Sequence, residues 1–186
     1  MPSIAAHMSV AKLVGDKLNI KDDDFIRGNL LPDVTNKKDS HNRTKGSYFL
    51  VPNIKLIKES YDLKNNLYLG SYVHLLLDYY YLEEFLPKYV TKKTELFDSK
   101  ELYKEYDRMN KLLLNDFKID INKITKILSK FDKNIINEKK LKYNLECLNK
   151  VDNNELEYIK IKDFEDFLIN ISDRIANEIE EINKWY

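Results

Sequence analysis

Every glycine and every proline of this chain lies at or before Pro87: Gly15, Gly28, Gly46 and Gly70, with Pro2, Pro32, Pro52 and Pro87. Beyond that point the sequence reads as Lys, Glu, Asn, Ile and Leu in helical rhythm. A stretch of this length without the two residues that most readily break a helix leaves few folds open. Helices joined by polar connections are expected there. The first half can turn its backbone sharply enough to bring distant side chains to one point. The three histidines, His7, His41 and His74, also fall before Pro87. The halves are thus expected to do different work: residues 1–90 carry a metal site, and residues 91–186 form a charged helical half that shapes the pocket.

A chain of 186 residues, 43% hydrophobic and 12% aromatic, is long enough for one domain with a real core. No internal repeat or Gly/Pro/Ser-rich linker divides it, so the expectation is a single all-α domain, a multi-helix bundle spanning 1–186. Basic and acidic residues balance at 31 each. A net charge of zero argues against a general electrostatic grip on nucleic acid or anionic lipid, while leaving room for a local patch. The single cysteine, Cys147, has no intrachain partner, and no secretory leader is evident, which together suggest a reducing, cytoplasmic location. Asn42-Arg43-Thr44 fits a glycosylation sequon, to which the missing leader gives no weight. Asp78 interrupts the only apolar run approaching membrane-spanning length.

The pattern along the chain predicts an amphipathic helix over Ser3 to Asn19, with apolar or small residues at Ile4, Ala5, Met8, Ala11, Val14 and Leu18 and with His7 pointing inward. Asp22-Asp23-Asp24 offers caps for a short helix through Phe25, Ile26 and Leu30, which Pro32 is expected to stop. Asp33 to Gly46 reads as polar loop. Tyr48 to Val51 is ambiguous between extended chain and a helix lead-in, and Asn53 to Tyr61 reads as helix. After the turn at Asn65-Asn66 comes the most apolar stretch, Leu67 to Leu82, a buried helix closed by Pro87. Further helices are expected at Ser99 to Phe117, Asp120 to Phe131, Glu138 to Lys150 and Asp163 to Trp185; Tyr158 to Ile161 fits a short strand, although one isolated strand has little to pair with.

The buried helix poses the chemical question. His74 and Asp78 stand four residues apart, so one helix face carries both. A buried carboxylate needs an electropositive partner, either a Lys or Arg from elsewhere or a metal ion held by both side chains. Alone, such a pair is most simply a hydrogen-bonded core pair. Donors of the metal-binding type recur at His7 on the first helix and at Asp33 and His41 in the loop. Imidazole nitrogen mixed with carboxylate oxygen suits Zn²⁺, and also Mn²⁺ or Fe²⁺. Five candidates exceed what one open catalytic zinc takes, which suggests two ions sharing a carboxylate.

These residues also carry a resemblance. Gly28-Asn-Leu-Leu-Pro-Asp33, then Ser40-His41, then Leu69-Gly70-Ser-Tyr-Val-His74-Leu-Leu-Leu-Asp78, preceded by His7, resembles the pattern of the zinc-dependent phospholipase C family, which is similar in fold and metal cluster to the zinc-dependent single-strand nucleases. The resemblance covers roughly residues 1 to 90. It implies an all-helical fold and hydrolysis of phosphoester bonds. It further implies that Asp33, His41, His74 and Asp78 are metal ligands, that one aspartate bridges two ions, and that His7 serves the second. The chain departs from the family in beginning Met1-Pro2, where members use a processed N-terminal residue, and in having no histidine after His74 for a third zinc. Glu83 and Glu84 are the nearby residues that could partly replace those nitrogens. One or two ions are therefore expected.

The expected activity is phospholipase C-like phosphoester hydrolysis by a metal-bound hydroxide, with Asp33 as the catalytic residue that accepts or holds the proton of the attacking water. A phospholipid head group is a candidate substrate. A nucleic-acid phosphodiesterase needs a basic, aromatic groove, against which the neutral charge counts. A non-catalytic helical metal-binding interaction protein is the third reading. The Asp22-Asp23-Asp24 run lacks the spacing of a calcium loop and is read as capping. Tyr79-Tyr80-Tyr81 points in successive directions around a helix and is read as packing, and Cys147 as inert.

Overall fold

The computed structural model describes residues 2–90, 99–149, 156 and 158–184. They are mostly helical: α1 (Ile4–Lys17), α2 (Asp23–Val34), α3 (Ile54–Ser60), α4 (Asn66–Tyr80), α5 (Leu86–Val90), α6 (Ser99–Asp116), α7 (Ile121–Leu128), α8 (Glu138–Asn149) and α9 (Ile161–Lys184). A π-helical turn (Tyr81–Phe85) joins α4 to α5, and a hairpin of β1 (Arg43–Lys45) and β2 (Leu50–Pro52) precedes α3. The all-α expectation holds, with this one small sheet added. The expected helix ends at Lys150 and Trp185 lie outside the described residues.

Local chemistry sets the helix starts. Ser3 caps α1 by accepting from the Ala6 amide at 3.2 Å, and Asp22 caps α2 by accepting from Asp24 at 2.9 Å. Asn65 does the same for α4, and Asp120 for α7. The core runs from Ile4 on α1 to Ile182 on α9 in one connected cluster. α4 is buried on every side from Leu69 to Asp78, the pattern of a helix enclosed by others. Burying each of its leucines contributes about 1.5–3 kcal/mol. α1 lies against α2, α4, α6 and α9.

α2 and α4 approach closely because two glycines face each other's backbones. A Cβ on Gly28 would sit 1.9 Å from the Leu67 carbonyl oxygen, and one on Gly70 would sit 2.0 Å from that of Phe25. Neither carbonyl can move without breaking a helix, so both positions require glycine.

Four expectations need correction. Pro32 does not stop α2, which continues through it to Val34, so Asp33 stands on the last helical turn rather than in a loop. Proline has no N–H to give the carbonyl four residues back; here the Ser71 hydroxyl of α4 donates to Gly28 O at 2.9 Å in its place. Pro87 does not close the helical path, because the wide π turn before it abandons the regular ladder and α5 follows. The presumed loop and ambiguous run at 43–52 form the hairpin, with Arg43 opposite Pro52 and Lys45 opposite Leu50. Tyr158 to Ile161 is no strand. The Tyr158 and Ile159 amides donate to the Glu105 carboxylate at 3.1 and 3.2 Å, and α9 begins at Ile161, ahead of the expected Asp163.

Candidate metal centre

Four separate segments bring the five donors together. α1 supplies His7, the end of α2 supplies Asp33, the turn before β1 supplies His41, and one face of α4 supplies His74 and Asp78. His7, His74 and Asp78 are completely buried, and His41 is 6% exposed. Asp33 is partly open, its side chain 15% exposed, and marks where the cluster meets solvent.

The Nε2 atoms of all three histidines face the two carboxylates. His41 Nε2 lies 3.4 Å from Asp33 Oδ1 and 3.4 Å from Asp78 Oδ2; His74 Nε2 lies 3.8 and 3.5 Å from the same two oxygens. His7 Nε2 lies 3.5 Å from the other Asp78 oxygen, Oδ1. These separations exceed the 2.7–3.2 Å or so of a good N–H···O hydrogen bond. They approach the roughly 3.3–3.6 Å between neighbouring ligands bound tetrahedrally at about 2.0–2.2 Å from a shared cation. The described donors form two groups able to hold a metal ion, His7 with His74 and Asp78, and Asp33 with His41 and His74. Asp78 directs one oxygen toward each side.

Two of the three outer nitrogens are held. His74 Nδ1–H donates to the Asn29 carbonyl at 2.7 Å, which fixes the tautomer that leaves Nε2 with its lone pair toward the carboxylates. Ser40 Oγ lies 3.0 Å from His41 Nδ1 and orients that ring in the same sense. The His7 ring stacks on His74 at 3.7 Å between centroids, nearly parallel. Both His7 nitrogens, His41 Nε2, His74 Nε2 and both Asp78 oxygens are buried without a hydrogen-bond partner. Among the described residues, no lysine or arginine pairs with Asp33 or Asp78. Groups so placed cost about 1–3 kcal/mol each, more when charged, unless a ligand meets them.

Charge follows from this geometry. Burial raises the Asp78 carboxyl, but His74 and His7 outweigh it and hold it well below the usual carboxylate range. Asp33 is likewise lowered, burial being overcome by His74, His41 and His7. Burial lowers His74, yet Asp33 and Asp78 carry it above its ordinary 6.5, whereas burial and the adjacent His74 push His7 down.

A cavity of about 390 Å³ opens over Asp33 and His41. Lys38, Arg43 and Lys140 bring positive charge to its wall beside the acidic Asp39 and Asp107, and Tyr103 and Tyr143 stand exposed at it. α6 and α8 supply these tyrosines, so the C-terminal half contributes to the mouth. Tyr106, also on the wall, pairs its hydroxyl with that of buried Tyr81 at 2.6 Å. Glu83 and Glu84 do not join the cluster. Glu83 accepts from the Ser47 amide at the hairpin turn at 2.8 Å, and Glu84 forks onto Arg174 at 2.7 and 3.1 Å. Asn29 was not singled out by the sequence reading, although it stands one helical turn before Asp33 on α2. Ser40 was visible only as the neighbour of His41.

The chain matches no protein-family model, no curated protein and no solved structure. No helix of the described residues is long and apolar enough to cross a membrane.

Proposed function

We propose that this chain is a metal-dependent phosphoester hydrolase of the zinc-dependent phospholipase C type. The observation that carries the reading is the set of buried, unpartnered nitrogen and carboxylate atoms converging from three segments, with partly open Asp33 beside them from a fourth, spaced for a shared cation rather than for each other. Asp33, His41, His74 and Asp78 would hold a zinc ion, and His7 with the second Asp78 oxygen would hold another. A divalent cation so held supplies Lewis-acid polarisation of a phosphoryl oxygen and acidifies a nearby water.

The chain's own residues do the rest. Asp33 is ionised at neutral pH and borders the cavity, where it accepts the proton of an attacking water. Lys38, Arg43 and Lys140 offset the charge of an entering phosphoryl group. Asn29 and Ser40 keep the His74 and His41 rings in the orientation that presents Nε2.

A second reading, a nucleic-acid phosphodiesterase, is favoured by the exposed Tyr103 and Tyr143 beside those basic residues, an arrangement on which bases can stack. Elemental analysis of untagged protein, followed by assays on p-nitrophenyl phosphoesters, a short-chain phosphatidylcholine and a single-stranded oligonucleotide, separates the possibilities. One or two equivalents of zinc and chelator-sensitive turnover are expected. Full metal content and unchanged turnover in His74→Ala would end the hydrolase reading.

A further inference from the structure

The net charge of zero conceals a local excess. Between Lys37 and Glu59 the chain carries six basic residues against two acidic ones. Lys58 lies 3.9 Å from Glu178 and is set aside. Of the remaining five, Lys38, Arg43, Lys45 and Lys55 form an exposed strip that begins at the metal cavity, and exposed Lys37 precedes Lys38 in the chain. Lys38 and Arg43 line that cavity, Arg43 and Lys45 lie along β1, and Lys45 and Lys55 flank the depression beneath the hairpin.

At the end of this strip the hairpin exposes apolar side chains. Tyr48 is 64% and Leu50 62% exposed, and Leu56 at the start of α3 is 47% exposed. Leu50 is cross-strand partner to Lys45, so an apolar and a cationic side chain leave the same face of the hairpin. The tip is anchored: Gly46 N donates to Phe49 O at 2.9 Å, Ser47 N donates to Glu83, and Val51 is buried in the core. A firmly held projection with aliphatic and tyrosine side chains outward and lysines behind matches a bilayer surface. There, acyl chains take Leu50, the interface takes Tyr48, and anionic head groups face the lysines.

We infer that the hairpin Arg43–Pro52, with Lys37, Lys38 and Lys55, is a docking surface for an anionic lipid bilayer, which it engages beside the mouth of the metal cavity. The aliphatic exposure distinguishes this partner from nucleic acid, for which leucines offer nothing. The inference does not require the hydrolase reading, since association is measured without turnover.

The test is co-sedimentation of the full chain with vesicles of phosphatidylcholine alone and of phosphatidylcholine mixed with phosphatidylserine, at low and high salt. Partition onto the anionic vesicles should exceed that onto neutral ones at least tenfold and fall with salt. Each of Lys45→Glu and Lys55→Glu should weaken it about fivefold or more. Tyr48→Ser with Leu50→Ser should weaken it about tenfold or more. Helical circular dichroism and metal content should remain as in the parent for all of them. Equal partition onto neutral vesicles, undiminished partition of the Tyr48/Leu50 double variant, or displacement from anionic vesicles by a single-stranded oligonucleotide at lower concentration than by soluble phosphatidylserine would overturn the inference.

Discussion

Among the described residues two buried clusters of charged groups can be compared, and they are finished differently. Glu105 on α6 is completely buried, and each of its oxygens is answered: one by the Arg108 guanidinium at 3.0 Å, the other by the Tyr158 and Ile159 amides. That cluster is closed by the chain itself and ties the segment before α9 to α6. Asp78 on α4 is buried as deeply, yet both its oxygens and the Nε2 atoms of the three histidines around it have no hydrogen-bond partner. A fold that satisfies one buried carboxylate fully can do so for another. The difference teaches that the Asp78 cluster is shaped for something the polypeptide does not provide, whereas the Glu105 cluster is architecture.

The comparison breaks most clearly in activity. Asp78→Asn should abolish metal retention and lower phosphoester turnover by roughly three orders of magnitude, the several kcal/mol a bound cation supplies. Elemental analysis and an assay on p-nitrophenyl phosphoesters read the two effects. Glu105→Ala should behave in the opposite way. It removes the carboxylate that Arg108 and two amides meet, so denaturant unfolding should show a loss of about 3 kcal/mol while metal content per folded molecule stays at the parent value. Were Glu105→Ala to lose metal with little loss of stability, the division between the two clusters would be wrong.

Acidification sharpens the same contrast. In the free site Asp33 and Asp78 hold the His74 pKa above 6.5, so below that value its Nε2 is protonated and a cation must displace the proton. Metal affinity should therefore fall as pH drops through the raised pKa, by up to about tenfold per pH unit for each proton displaced, and level off above it. Competition titration against a chromophoric chelator across this range measures the slope; a flat profile would remove His74 from the ligand set. The smallest effect concerns orientation. Ser40→Ala removes the oxygen beside His41 Nδ1 and should weaken metal binding about tenfold, with Ser40→Thr restoring most of it.

The helical order of the chain was open to reading because apolar periodicity and capping residues are local signals. Asp22, Asn65 and Asp120 stand where the caps form. The donor types of the cluster were also visible, since histidine with aspartate at helical spacing inside an apolar run conflicts with burial unless something resolves it. What escaped depended on tertiary partners. Arg43–Lys45 is too short and polar to announce a strand, and it pairs only because Gly46 turns the chain and Glu83 holds the turn. The amides at Tyr158 and Ile159 find a carboxylate rather than another strand. Pro32 read as a stop because its missing donor is replaced from a different helix.

That replacement reaches beyond the ground state. α2 cannot complete its own hydrogen bonding in isolation, because the Gly28 oxygen waits for a hydroxyl that arrives only when α4 is alongside. Asn29 then accepts from His74 across the same seam. The two segments are thus expected to gain their order as one cooperative unit, and the three donors they carry, Asp33, His74 and Asp78, come together with the seam.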